Sequence, residues 1–539
     1  MVLAPFGRGR VGSRADPSEP SDPLVRVSDV PPAPPPAPAR RHGIDPSFTA
    51  LPLHALADAA LARARELGCS YADLRVEQVR EGLRSFRDTA LESSTDHSTV
   101  GLAVRVVHDG VWGFAAGVGL TTDVAARLAE RAVATARISK PLTPHRVELA
   151  DEPVHADRTW VSAYETDPFD VPEAEQQARM LDLSAALLAG AGVSHTSASL
   201  HVVREDKFFA SLAGTTTTQQ RVRVQPQLTA VSVGDHGFAT MRTLAPPAGR
   251  GWEYLTGTGW DFDAEVAEIP ALLAEHAAAP TVEAGRYDLV IEPSNLFLTI
   301  HESVGHATEL DRALGYEAAY AGTSFATFDQ LGTLRYGSPA MHVTGDRVVD
   351  HGLATIGFDD EGVAATTFDI VRDGTLVGYQ LNRQMAAEKG LGPSNGCAYA
   401  DSPGHIPMQR MPNVSLAADP GGPSSEELIS RVDRGLYVVG DKSWSIDMQR
   451  YNFQFTGQRF YRIEGGRLAG QVKDVAYQAT TTDFWRSMEA VGGEQTYLLG
   501  GAFNCGKGQP GQSAPVSHGS PAALFRGVNV LNTAAEGAA

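Results

Sequence analysis

A chain of 539 residues exceeds the roughly 250–300 residues at which a single hydrophobic core stops growing, so two or three structural units are expected. Apolar residues make up 42% and charged residues 20% of it, a globular balance that excludes a chain disordered throughout. The excess of 64 Asp+Glu over 45 Lys+Arg, a formal charge of -19, repels phosphate backbones and anionic lipid, which argues against nucleic-acid and membrane partners.

Three widely separated cysteines, Cys69, Cys397 and Cys505, do not form the even framework of a small secreted domain and fit a reducing compartment. No apolar run is long enough to span a bilayer, and the N-terminus has no apolar signal core. A soluble, cytoplasmic protein is the expectation.

In chain order, residues 1–45 are rich in Pro, Arg, Ser and Asp and end in the run Pro31 to Pro38, which reads as a disordered or polyproline tail. Asp16, Glu19, Asp22 and Asp29 do not suit an organellar transit peptide. A first α/β unit is expected over 46–140. There Leu53, Leu56, Ala60, Ala64 and Leu67 fall at helical spacing before Gly68, and strand-like runs follow at 72–79, 82–88, 98–107 and 111–116. Asp109-Gly110 joins the last two as a hairpin, and a helix from about 122 to 137 closes the unit. Residues 141–172 lack periodicity and read as a linker. The same order recurs over 173–284, with a helix at 173–190, strands between 197 and 245 and a helix at 263–278, which suggests an internal duplication.

From 285 to 539 the expectation is a β-rich domain opened by the buried strand Tyr287–Ile291, after which Ser294 or Asn295 caps a helix. The fold class is therefore α+β. That helix carries His301-Glu302-Ser303-Val304-Gly305-His306, one residue longer than the H-E-x-x-H pattern that sets two imidazoles on one face with a base between them. Five helical steps turn through about 500°, leaving the two rings roughly 140° apart on an ideal helix. A widened turn of the π kind would bring them together, and Gly305 offers the backbone freedom for it.

Two histidines make an incomplete catalytic site, because catalytic zinc takes three protein ligands and keeps a position for water. Glu309, Asp311, His351, Asp359, Asp360, Glu361 and Cys505 are candidates for the third, and spacing does not choose among them. Cys505 sits in a Gly-rich stretch beside Lys507, which would favour its thiolate; an inert buried thiol fits the same pattern.

The choice comes from a resemblance that runs from about residue 50 to 535. His301–His306, the Asp359-Asp360-Glu361-Gly362 turn, Pro407–Asn413, and Cys505-Gly506-Lys507 followed by Gly511-Gln512 resemble the motifs of TldD/PmbA-family metallopeptidases of the TldD type. The resemblance implies zinc on His301, His306 and Cys505, with Glu302 as catalytic base and unfolded peptides or peptide precursors as substrate. It further implies a homodimer, or a heterodimer with a PmbA-type paralogue lacking the metal motif. Tyr451, Asn452, Lys507 and amides near Gly506 are candidate oxyanion donors, and His405, Arg410 and Arg450 candidate peptide contacts. Two other classes stay open: an assembly subunit with a structural zinc, and a cysteine hydrolase using Cys505.

Overall fold

The computed structural model describes residues 42–536 apart from Pro144, Asp235 and His236, so nearly all of the expected tail lies outside the described residues. The elements in order are α1 Pro46–Thr49, α2 Leu53–Glu66, β1 Tyr71–Arg87, β2 Ala90–His108, β3 Val111–Gly117, α3 Thr122–Ser139, β4 Arg158–Val161, α4 Glu173–Leu188, β5 His195–Ser211, β6 Thr216–Gly234, β7 Gly237–Arg242 and α5 Phe262–Ala278. They build one seven-stranded sheet, β3-β2-β1-β5-β6-β4, with β7 also on β6. The two stretches that share an element order, α2 to α3 and α4 to α5, meet at its seam. There β1 and β5 run antiparallel with Arg80 opposite Arg204.

Local chemistry explains the helices. Leu53, Leu56, Ala57, Ala60 and Ala64 give α2 its buried stripe. Thr121 caps α3, its hydroxyl accepting from the Val124 amide at 3.3 Å, and Asp261 caps α5 through the Ala264 amide at 2.9 Å. Two strand boundaries differ from expectation. The runs at 72–79 and 82–88 form the single strand β1, because Gly82 leaves room for the side chains of Arg84 and Val202, each 3.0 Å from where its Cβ would stand. The strand β2 begins at Ala90, eight residues early, because its Ser/Thr-rich start is exposed and shows no hydrophobic alternation.

Period-two alternation sorts the sheet's faces. One face packs on the helices through Leu74, Val76, Val104 and Val106 in the first half and Leu200, Val202 and Val224 in the second. The other buries Asp73, Arg75, Glu77, Arg105, Glu205, Lys207, Arg221 and Arg223, and several of these pair with the C-terminal domain.

That domain begins with β8 Gly285–Ile291 and α6 Pro293–Ile300, then α7 Leu310–Ala313. The strands β9 Val343–Asp346, β10 Thr367–Arg372, β11 Thr375–Leu376, β12 Ala398–Tyr399, β13 Met408–Gln409, β14 Asn413–Leu416, β15 Arg434–Ile446, β16 Asn452–Glu464, β17 Arg467–Val472, β18 Val475–Thr480, β19 Met488–Val491, β20 Leu498–Lys507, β21 Gln512–Ser520 and β22 Ala523–Asn532 follow, with a few short helices between them. The order β15-β8-β22-β18-β16-β17 is closed on itself by a further β15–β16 pairing. The sheet β11-β10-β9-β14 and the hairpin β20-β21 share one hydrophobic core with this ring. The fold is α+β with a β-rich C-terminal domain. No helix among the described residues is long and apolar enough to cross a membrane.

Candidate metal centre

Helix α6 starts on a cap other than the expected one. Glu292 accepts from the Ser294 amide at 3.2 Å, and Pro293 takes the first helical position. Ser294 and Asn295 instead fasten the helix to the ring: Ser294 Oγ accepts from the Gly440 amide at 2.8 Å, and Asn295 Nδ2 donates to the carbonyls of Gly440 and Thr456 at 2.9 and 3.0 Å.

The helix widens where the spacing requires it. Residues His301–Gly305 form a π turn, closed by the His306 amide donating to the His301 carbonyl. The two imidazoles stand 4.7 Å apart between ring centroids. Side chains satisfy the carbonyls that widening releases: Tyr336 Oη donates to Ser303, Gln380 Nε2 to Gly305, and Thr308 Oγ1 to Val304 at 2.8 Å. Gly305 itself has φ -53° and ψ -62°, ordinary helical values, so backbone freedom is not why it is glycine. An alanine Cβ there would lie 2.5 Å from Met411 Sδ, so the requirement is close packing.

Cys505 reaches the centre from β20 of the β20–β21 hairpin, whose register slips between Ala502 and Cys505; such a bulge re-aims a side chain. Its Sγ lies 3.5 Å from His306 Nε2. The ligand atoms of His301, His306 and Cys505 all fall within 4.8 Å of one another and all three residues are buried.

Hydrogen bonds fix which nitrogens are free. His518 lies on β21, and its Nδ1 meets the Val414 carbonyl at 2.8 Å, so Nδ1 carries the proton and Nε2 accepts. His301 Nδ1 lies 2.7 Å from that Nε2 and is therefore the donor, which leaves His301 Nε2 as a bare lone pair. Burial holds His518 well below the usual histidine range, helped by the adjacent His301, in keeping with this neutral form. In parallel, His306 Nδ1 donates to Glu309 Oε2 at 2.9 Å, leaving its own Nε2 free. Two imidazole nitrogens and a thiolate are a donor set that zinc takes, each imidazole backed by an outer partner.

Burial pushes the Cys505 thiol up, but a protonated His306 and Arg410 outweigh it and the net shift is downward, toward thiolate. For Glu302, burial likewise raises the carboxyl while His301, His306 and Arg450 hold it below its ordinary value. Glu302 is buried, and its Oε2 accepts from Arg450 Nη1 at 2.6 Å.

The remaining sequence candidates lie elsewhere or act one step out. Glu309 backs His306 and is held by Lys507 Nζ at 3.1 Å and Arg312 Nε at 3.3 Å. Lys507 also donates to Asp311 at 2.8 Å, so its charge is spent on these carboxylates and not on the thiolate. His351 bonds the Gly249 carbonyl at 3.3 Å. Asp359 caps a turn through the Glu361 and Val363 amides, while Asp360 binds Lys207 at 2.9 Å and Glu361 binds Arg105 at 3.1 Å, joining the domain to the N-terminal sheet. Arg410 is buried and donates to the Cys505 and Gln512 carbonyls, His405 pairs with Asp401 at 2.6 Å, and Arg450 is committed to Glu302. Asn452 Nδ2 donates to Asp447 at 2.6 Å, and Gly506 pairs with Ser513 in the hairpin. Sequence reasoning missed His518; the available signal was its place in the strand that pairs with the one bearing Cys505.

Comparisons with known proteins agree with this architecture. Residues 284–532 match the family model described as the PmbA/TldA metallopeptidase C-terminal domain, and residues 72–136 match the model for domain 1 of the same group. A Methanothermobacter thermautotrophicus protein named metalloprotease is 29% identical over 467 residues, covering 86% of this chain and 96% of that one. A zinc metalloprotease TldD homolog of Saccharolobus solfataricus is 24% identical, over 49% of this chain and 55% of that one. Among solved structures, a Thermotoga maritima chain has a TM-score of 0.70 at 16% identity, covering 88% of this chain and 99% of that one. TldE from Thermococcus kodakarensis has a TM-score of 0.66 at 14% identity, covering 87% and 98%. With a buried two-histidine, one-cysteine cluster beside a carboxylate, the fold is that of a metallopeptidase class. The chain belongs to the PmbA/TldD family.

Proposed function

We propose that this protein is a zinc-dependent peptidase of the TldD type, with His301 Nε2, His306 Nε2 and Cys505 Sγ as the protein ligands and Glu302 as general base. The observation that carries the reading is the convergence of those three atoms within 4.8 Å, with both Nδ1 atoms already engaged. Among the described residues no fourth His, Cys, Asp or Glu joins the cluster, which favours an open catalytic site over a closed structural one. Zinc in this set supplies Lewis acidity toward a carbonyl and a water oxygen. Glu302 takes a proton from the attacking water and returns it to the leaving amine as the C–N bond breaks, one carboxyl serving both steps. The substrates we assign are unfolded peptides or peptide precursors, held extended against strand edges. The protein acts as a homodimer or with a PmbA-type paralogue, as its membership of the PmbA/TldD family suggests.

The test is zinc content and peptide cleavage in the wild type, Glu302→Gln and Cys505→Ser. The expected result is a zinc-loaded, inactive Glu302→Gln protein and loss of metal from Cys505→Ser. Cleavage retained by Glu302→Gln rules out the assigned base. A second reading has one observation in its favour: Cys505 Sγ, His306 and Glu309 stand in line at 3.5 and 2.9 Å, the order of a cysteine hydrolase. Activity that survives chelation but is lost in Cys505→Ser selects it.

A further inference from the structure

The turn between β15 and β16 is built to hold one residue in a costly conformation. Arg450 has φ +62°, the left-handed region, where a residue with a Cβ is strained. A web of bonds holds it there. Asp447 accepts from the amides of Gln449, Tyr451 and Asn452 at 3.0, 2.9 and 3.0 Å. Thr481 Oγ1 donates to the Arg450 carbonyl at 2.7 Å, and the Thr323 and Phe325 amides donate to the carbonyls of Met448 and Gln449, both at 2.8 Å.

What the conformation achieves is a single contact. Arg450 Nη1 donates to Glu302 Oε2 at 2.6 Å, while the buried Arg450 Nε finds no acceptor among the described residues. For stability alone this is a poor arrangement, because a largely buried ion pair, Arg450 13% and Glu302 7% exposed, with one hydrogen bond and an unpaired donor gains little over an apolar pair. Strain concentrated at such a point signals function. A glutamate has three side-chain torsions, and an unanchored base would have to meet the entropy cost of freezing them in each turnover. Hydrogen bonds among the described residues reach only Oε2 of Glu302, so the ion pair leaves Oε1 as the oxygen available to a water.

On the reading of Glu302 as base given above, we propose that Arg450 is a positioning residue: by anchoring Oε2 it aims Oε1 of Glu302 at the attacking water. It acts through Glu302 and does not itself touch substrate.

Full-length, zinc-loaded protein would be compared as wild type, Arg450→Met, Arg450→Lys, Glu302→Asp and the Glu302→Asp/Arg450→Met double variant. The probe is a fluorescence-quenched unstructured peptide selected from a random-sequence pool with the wild-type protein. In Arg450→Met, kcat is expected to fall on the order of 100-fold, the usual cost of misplacing a reacting group by about 1 Å, with KM and zinc stoichiometry unchanged. Arg450→Lys, which keeps the charge without the fixed fork, should recover part of the loss, and it carries the test if Arg450→Met does not fold. The shorter arm of Glu302→Asp already withdraws the carboxylate, so adding Arg450→Met should cost far less than in the wild type.

Three results overturn the inference. A rise in KM at constant kcat makes Arg450 a substrate contact. Full additivity in the double variant means that it acts independently of Glu302. Loss of zinc in both Arg450 variants means that it serves the metal cluster's structure. Failure of the base assignment is separately visible, since Glu302→Gln would then cleave while Arg450→Met did not.

Discussion

Replacing His518 by Leu tests the proton bookkeeping on which the proposed role of His301 as a zinc ligand rests. The substitution removes the Nε2 acceptor that lies 2.7 Å from His301 Nδ1, and the donor that meets the Val414 carbonyl at 2.8 Å. Both groups are then stranded in a fully buried site. An unsatisfied buried group costs about 1–3 kcal/mol, and His301 is free to adopt the tautomer whose Nε2 is protonated. Loss of an outer partner of a ligating histidine lowers metal affinity by about 10- to 100-fold, or roughly 1.4–2.8 kcal/mol, which matches the cost of stranding His301 Nδ1 alone; the stranded Val414 carbonyl counts against folding. The assay is competition for zinc against a chromophoric chelator, with folding checked by circular dichroism. His518→Gln, whose side-chain carbonyl can accept the same proton, should recover part of the affinity. A folded His518→Leu protein that binds zinc as tightly as the wild type would refute the reasoning, because His301 would then need no partner to present Nε2.

Glu309→Gln keeps an acceptor for His306 but removes one of the charges balancing Lys507 and Arg312, which retain Asp311 and Glu317; zinc affinity should fall and stability, read from a urea titration, should drop by about 1–3 kcal/mol. Gly305→Ala drives a Cβ to 2.5 Å from Met411 Sδ and should lower stability by about 1–3 kcal/mol through overpacking, read from the urea midpoint. At the sheet seam, burial and the neighbouring Asp45 and Asp167 carboxylates push Asp206 up to about 7, against the pull of Arg204. The folded state holds that proton more tightly than the unfolded chain, so its contribution is full below about pH 4 and is lost as the pH rises through 7. Asp206→Asn should therefore raise stability relative to wild type at pH 8, by at most roughly 4 kcal/mol, and change little at pH 4, as urea titrations at the two pH values will show.

Much of this protein was legible in one dimension because the signals are local. Apolar spacing at Leu53, Leu56, Ala60 and Ala64 marks α2, Asp109-Gly110 marks the turn between β2 and β3, and the six residues from His301 to His306 require a widened turn by arithmetic alone. The repeated order of helix, strands and helix was visible too. Its consequence, β1 and β5 lying side by side in one sheet, was not, because pairing across the seam depends on contacts more than a hundred residues apart.

Spacing alone did not separate the polar candidates; a family resemblance picked out Cys505, and the tertiary structure supplied the physical ground for it. Spacing offered Glu309, Asp311 and Cys505 as equals, and three-dimensional placement put the sulfur beside His306 while turning both carboxylates toward Lys507. His518 and Arg450 gained their significance the same way, from partners 217 and 148 residues distant in sequence. The physical reason is that a backbone period constrains neighbours within a turn or a strand, whereas the state of a buried imidazole or carboxylate is decided by whichever donors and charges the folded chain brings to within about 3 Å of it.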